Sequence, residues 1–147
     1  MAGELLLDPG ALVSLLDRSQ THHRQCKEFF SHWHGAVVST EAVLTEATHL
    51  LGRTPRGREL CLEFFLAGGA TLVPASLSTL RRCRVLMEKY ADRPMDYADA
   101  TLVVLAEELR TDLVFTTDRG DFEVYRFGKD RHGKISLTPA GDDSARW

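Results

Sequence analysis

Several things are missing from this sequence, and each absence removes a class of function. No apolar run approaches the length that a membrane span needs. Residues Met1–Leu7 lack the basic start and long apolar stretch of a secretory leader, so the expected compartment is the cytoplasm and no membrane partner is expected. The three cysteines, Cys26, Cys61 and Cys83, are odd in number, widely spaced and without a C-x-x-C pair. That spacing offers neither a disulfide framework nor a zinc site, and it predicts buried or idle thiols. None of the six histidines pairs with another at one-turn spacing. Gly68-Gly69 and Gly128 do not form a phosphate loop, and there is no serine nucleophile elbow. Neither sign of charge dominates. A formal net charge of −3 and a pI near 6.1 argue against a protein that coats nucleic acid through a large basic excess.

What is present is the pattern of one α/β domain. The 147 residues, 44% hydrophobic and 27% charged, suffice for a single core without staples. Short apolar runs alternate with amphipathic stretches. Glu4–Leu7, Ala36–Val38, Thr71–Val73 and Leu113–Phe115 read as strands. Helices are expected after Asp8-Pro9-Gly10, over Thr21–Trp33, Glu41–Leu51 and Pro55–Leu66, then over Ser76–Tyr90 and from Pro94 to about Leu109. Glu123–Phe127 and Lys134–Leu137 are expected to pair as an edge hairpin. The domain is drawn over residues 1–138, with a polar tail over 139–147. This alternation implies an α/β/α sandwich around a four- to five-stranded, mostly parallel Rossmann-like sheet. In such sheets active sites lie beyond the carboxyl ends of the strands.

The acids fall at those ends. Asp8 closes the first strand, and Asp118 closes the fourth more than a hundred residues later, with Asp121 three residues on. On the helix after the second strand, Val43, Ala47, Leu50 and Leu51 mark the core side, and Glu46 borders that stripe. Asp99 shares a face with Leu102, Val103 and Ala106. A carboxylate on a core-facing stripe is costly unless something pairs with it, and a metal ion is one such partner. Plainer readings stand beside each. Asp8 and Asp96 suit helix N-caps, Glu41 suits a first helical turn, and Asp121 suits a turn. For Glu46 and Asp99 the plainer reading is an acid that borders the stripe and turns out to water.

These residues, in this order, resemble the PIN domain. The resemblance is carried by a strand ending in Asp8, the stretch Val43-Leu-Thr-Glu-Ala-Thr-His-Leu-Leu51 around Glu46, Asp99-Ala-Thr-Leu-Val-Val-Leu-Ala106, and the closing Thr116-Thr-Asp-Arg-Gly-Asp-Phe122. It covers nearly the whole chain. Many bacterial members of similar size are VapC-type toxins of VapBC toxin–antitoxin pairs. The resemblance implies a ribonuclease with an acidic Mg²⁺ or Mn²⁺ site. Asp8, Glu46, Asp99 and Asp118 match the central acids, Asp121 a more variable fifth, and Thr116 a supporting hydroxyl. Asp8, Asp99 and Asp118 are its expected metal ligands, with Asp96 an additional acid nearby. Pro9 departs from the family, where a small or hydroxylated residue often follows the first acid.

The implied partners are an RNA substrate, a VapB-like antitoxin and a second copy of the chain. With five carboxylates set against metal, the remainder of the chain carries about +2, slightly basic. Arg53, Arg56, Arg58, Arg119 and Arg126 are candidates for phosphate contacts. Phe29, Phe30, Trp33, Phe64 and Phe65 fit a dimer surface, but their spacing suits ordinary core better. Three other readings remain. One is a nuclease with no antitoxin. Another is a module that binds RNA or protein without catalysis, against which the intact acids argue. The last is a phosphatase or phospho-receiver domain, which would need D-x-D or paired early acids that this chain lacks.

Overall fold

Leu5–Leu7 form strand β1, and all three leucines are fully buried. A run with no polar alternation is what a strand covered on both faces requires. The computed structural model describes residues 3–93 and 95–117, and beyond them the backbone of Arg126–Phe127, Arg131–His132 and Lys134–Ile135. β2 (Val37–Thr40), β3 (Thr71–Val73) and β4 (Leu113–Phe115) follow, with β5 (Arg126–Phe127), β6 (Arg131–His132) and β7 (Lys134–Ile135) after them. The main sheet has five strands in the order β3-β2-β1-β4-β7, and every pairing in it is parallel. β1 is therefore central, with Leu6 opposite Val38 on one side and Val114 on the other.

Among the described residues six helices cover this sheet: α1 (Pro9–Leu16), α2 (His23–His32), α3 (Glu41–Leu50), α4 (Gly57–Leu66), α5 (Leu77–Lys89) and α6 (Tyr97–Leu109). α1 packs against α2, α3 and α4, α5 packs against α6, and α3 also touches α6. α6 is the most enclosed, with Ala98, Ala100 and the run Leu102–Ala106 all buried. Among the described residues no helix is long and apolar enough to cross a membrane.

Beyond shifts of one or two residues at element bounds, as in β2, α2 and α5, the structure departs from the sequence reading in four places. α6 begins at Tyr97 rather than Pro94, because Asp96 caps it and sets its first turn. α4 begins at Gly57 rather than Pro55, because Arg56 takes a left-handed conformation (φ 57°) that no helix continues through. Leu50, expected on the core side of α3, is 51% exposed, while Leu51 just past the helix end is buried. Lys134–Ile135 does not pair with the segment before Gly128. It adds in parallel to β4, with Leu113 opposite Lys134, and Arg126–Phe127 pairs instead with Arg131–His132. The open edge of β4 offers β7 a ladder within the main sheet. The expected tail over 139–147 lies outside the described residues.

Candidate active site

Asp8 follows β1 directly and caps α1, so one residue ends the central strand and starts a helix. Its side chain is 4% exposed. The backbone N–H of Ala11 donates to Oδ1 at 2.7 Å, and the Thr116 hydroxyl donates to Oδ2. Its own N–H donates to the Phe115 carbonyl at 3.2 Å, which ties it to the end of β4. Pro9 at the first helical position costs nothing here, because its missing N–H would have had no helical partner. The departure at Pro9 leaves the hold on Asp8 intact.

The neighbouring strand carries the next part. Ser39 donates to the Leu7 carbonyl at 2.7 Å, and continuing the β1–β2 register sets Thr40 beside Asp8, about one strand spacing (~4.8 Å) away. Thr40 caps α3 by accepting from the Val43 N–H at 3.3 Å. Its hydroxyl also meets that of Thr101 on α6 at 2.8 Å, and Thr101 donates to the Ala98 carbonyl at 2.7 Å. Thr101 thereby uses its only proton, so Thr40 is the donor between the two hydroxyls. This short chain fixes the start of α3 against the first turns of α6. The sequence reading saw Thr40 as a helix start and did not single out Thr101. A hydroxyl two residues after Asp99, bonding back along its own helix, was the available signal.

On that frame sit the acids of α3 and α6. Glu46 is half-buried, and its carboxyl pKa is pushed up by burial first, then by the charge and hydrogen bond of Asp96, with His49 pulling the other way. Asp96 accepts from the Asp99 N–H at 2.9 Å, and Asp99 Oδ2 accepts from the Asp96 N–H at 3.4 Å. Glu46, Asp96, His49, Glu41 and Tyr97 line a shared groove of about 810 Å³. Glu41 lies in the first turn of α3, where negative charge suits the helix dipole.

The structure therefore joins Asp8 to Thr116, Glu46 to Asp96, and Asp96 to Asp99. Asp118, Asp121 and Arg119 lie outside the described residues, as does the side chain of Arg126. Arg53, Arg56 and Arg58 are exposed, and Arg56 pairs with Glu59 at 2.9 Å. They belong to the connection after α3 and the start of α4, where Thr54 bonds Asp17 beyond the end of α1. That is about 15 Å along α3 from its cap, away from the carboxyl edge. Phe29, Phe30, Trp33, Phe64 and Phe65 are half-buried against the core, where Phe29 and Phe30 both meet Phe115. The cysteine expectation holds: all three thiols are buried. Burial pushes Cys26 up to about 12, with the charge of Asp8 adding to it, and Cys61 up to about 11. Such thiols are protonated and inert at neutral pH.

The donors available to a metal are mostly carboxylates, with the single imidazole of His49 in the same groove, and a set dominated by oxygen suits a hard divalent cation. The raised pKa of Glu46 records its burial first and the neighbouring charge of Asp96 second, and a cation would relieve the second. Among the described residues no three His, Cys, Asp or Glu side chains gather as a complete metal-holding group. The acids after β4 lie beyond those residues.

The PIN domain family matches residues 5–128 of this chain. Ribonuclease VapC26 of Mycobacterium tuberculosis (strain ATCC 25618 / H37Rv) is 30% identical over 124 residues, which is 83% of this chain and 92% of that protein. In fold the chain is similar to the crystal structure of Mycobacterium tuberculosis VapC20, a Sarcin-Ricin loop cleaving toxin. The TM-score is 0.74 at 15% identity, over 79% of this chain and 91% of that one. A toxin–antitoxin complex from Klebsiella pneumoniae gives a TM-score of 0.61 at 18% identity, over 82% of this chain and 91% of that one.

Proposed function

The chain belongs to the PIN-domain family, and from that premise we propose that it is a metal-dependent endoribonuclease acting as the toxin of a toxin–antitoxin pair. The observation that carries this reading is Asp8, a buried carboxylate held through both oxygens at the carboxyl end of the central strand. Its relatives support the rest, since VapC26 is a ribonuclease and a complex of toxin with antitoxin shares the fold. A VapB-like antitoxin, a homodimer and a cytoplasmic site of action belong to the same proposal.

Asp8, Asp99 and Asp118 would hold Mg²⁺ or Mn²⁺, which when bound supplies Lewis-acid activation of water and of the scissile phosphate. The protein contributes orientation. Ala11 and Thr116 fix Asp8 so that it need not reorganise when substrate arrives. Glu46 would hold metal-bound waters in the groove, a role proposed also for Asp118 and Asp121. Its raised pKa makes it a better proton acceptor than an ordinary surface glutamate.

Incubation of a mixed pool of labelled RNAs with Mg²⁺, Mn²⁺ or EDTA tests the reading. Cleavage is expected only with metal, and it is expected to vanish in folded Asp8→Asn and Asp99→Asn. Stoichiometric RNA binding without cleavage under any metal would replace the enzyme with a binding module.

A further inference from the structure

We infer that Asp96 is a positioning residue, whose carboxylate at the N-cap of α6 orients Asp99 through a reciprocal capping box and meets Glu46 across the groove. The inference rests on the proposed metal-assisted chemistry and adds a residue to it. A capping box ordinarily uses glutamate or glutamine at its third helical position, and that side chain only closes the helix end. Here the third position is Asp99, an acid of the site itself. The two halves of the box are unequal. The Asp99 N–H reaches Asp96 Oδ1 at 2.9 Å, while the Asp99 carboxylate accepts from the Asp96 N–H at the longer 3.4 Å. The tight half fixes the backbone of Asp99. The long half directs its carboxylate toward the start of the helix.

Asp96 also stands between two helices. Glu46 of α3 and Asp96 line the same groove, and the charge and hydrogen bond of Asp96 act on Glu46. The Thr40–Thr101 bond fixes the same pair of helices one layer deeper. Movement of residue 96 therefore shifts both Asp99 and the surroundings of Glu46. α5 provides an internal comparison, because Ser76 and Thr79 build the same reciprocal box there from hydroxyls. Serine is thus a replacement that preserves the cap without the carboxylate.

The test uses the intact chain without RNA and reads free Mn²⁺ by electron paramagnetic resonance during titration. Glycine at an N-cap costs little helix stability, so Asp96→Gly removes the oriented acceptor from a protein that stays folded. Asp96→Gly is expected to bind Mn²⁺ about tenfold more weakly, as loss of an outer orienting partner typically does, and Asp96→Ser is expected to recover most of that loss. Wild-type affinity in Asp96→Gly would reduce Asp96 to an ordinary helix cap and overturn the inference alone. Equal weakening in the glycine and serine variants would overturn it too, by assigning the effect to charge. No Mn²⁺ binding by the wild type would remove the metal reading and this inference with it.

Discussion

Thr116, at the end of β4, donates its hydroxyl to the carboxylate of Asp8, at the end of β1, across 108 positions of sequence. The bond joins two neighbouring strands at their carboxyl ends, so it holds the sheet and the proposed site together. Both side chains are buried, which makes the loss of either partner costly.

Thr116→Val removes that donor while keeping the shape. Stability is expected to fall by about 1–3 kcal/mol, and cleavage by about 10- to 100-fold, the range typical for loss of a group that orients a ligand. Thr116→Ser is expected to restore most of both. Melting curves beside single-turnover cleavage rates separate the two effects, and a valine variant with wild-type rates would remove Thr116 from the site.

Glu46 is expected to trade stability for function. Its pKa is raised in the folded chain, so the stability it contributes is present below the ordinary glutamate value and is lost as pH rises through the folded one. Metal-free Glu46→Gln is therefore expected to melt higher than wild type near neutral pH, with the gap closing below about pH 4.5. The same variant is expected to lose cleavage. A pH series of melting temperatures in EDTA checks the first part, and a gap that widens on acidification would contradict the burial and neighbouring charge described for Glu46.

Asp17 has the opposite sign. Hydrogen bonds from Ser19, Gln20 and Thr54 hold its carboxyl down at about 2. The stability it contributes is present above its ordinary value of 3.8 and is lost as pH falls toward 2. Asp17→Asn is expected to be less stable than wild type at pH 7 by about 1 kcal/mol, after allowance for solvent screening, with the difference vanishing near pH 2. Denaturant midpoints at pH 7, 4 and 2 read this directly, and a constant difference would show that Asp17 acts through packing rather than charge.

Much of this was legible from local chemistry. Leu5–Leu7 ending in Asp8 announced both the buried strand and the capped helix, because a triple leucine and an Asp-Pro step each permit few structures. The periodicity after Asp99 marked Leu102, Val103 and Ala106 as core, and all three are buried, while Asp99 itself is half-buried in the first turn of α6. Periodicity failed at Leu50, because the turn after α3 brings Leu51 inward in its place. α6 starts at Tyr97 rather than at the proline, because the capping box of Asp96 decides its first turn. The contacts of Thr40 with Thr101 and of Glu46 with Asp96 are long-range, and no window of sequence contains both partners. β7 chose the edge of the main sheet over a local hairpin, a choice that depends on which edge the fold leaves open.

The central claim of the proposal, that Asp8 and Asp99 hold one cation with Glu46 near it, is tested most directly by nuclear magnetic resonance of the amide-labelled chain with substoichiometric Mn²⁺. Paramagnetic broadening is expected to reach the amides of residues 8–11 and 96–100 first, with those near Glu46 close behind. It is expected to disappear from all three segments in Asp99→Asn. Broadening centred on any other part of the chain, or unchanged in that variant, would contradict the account.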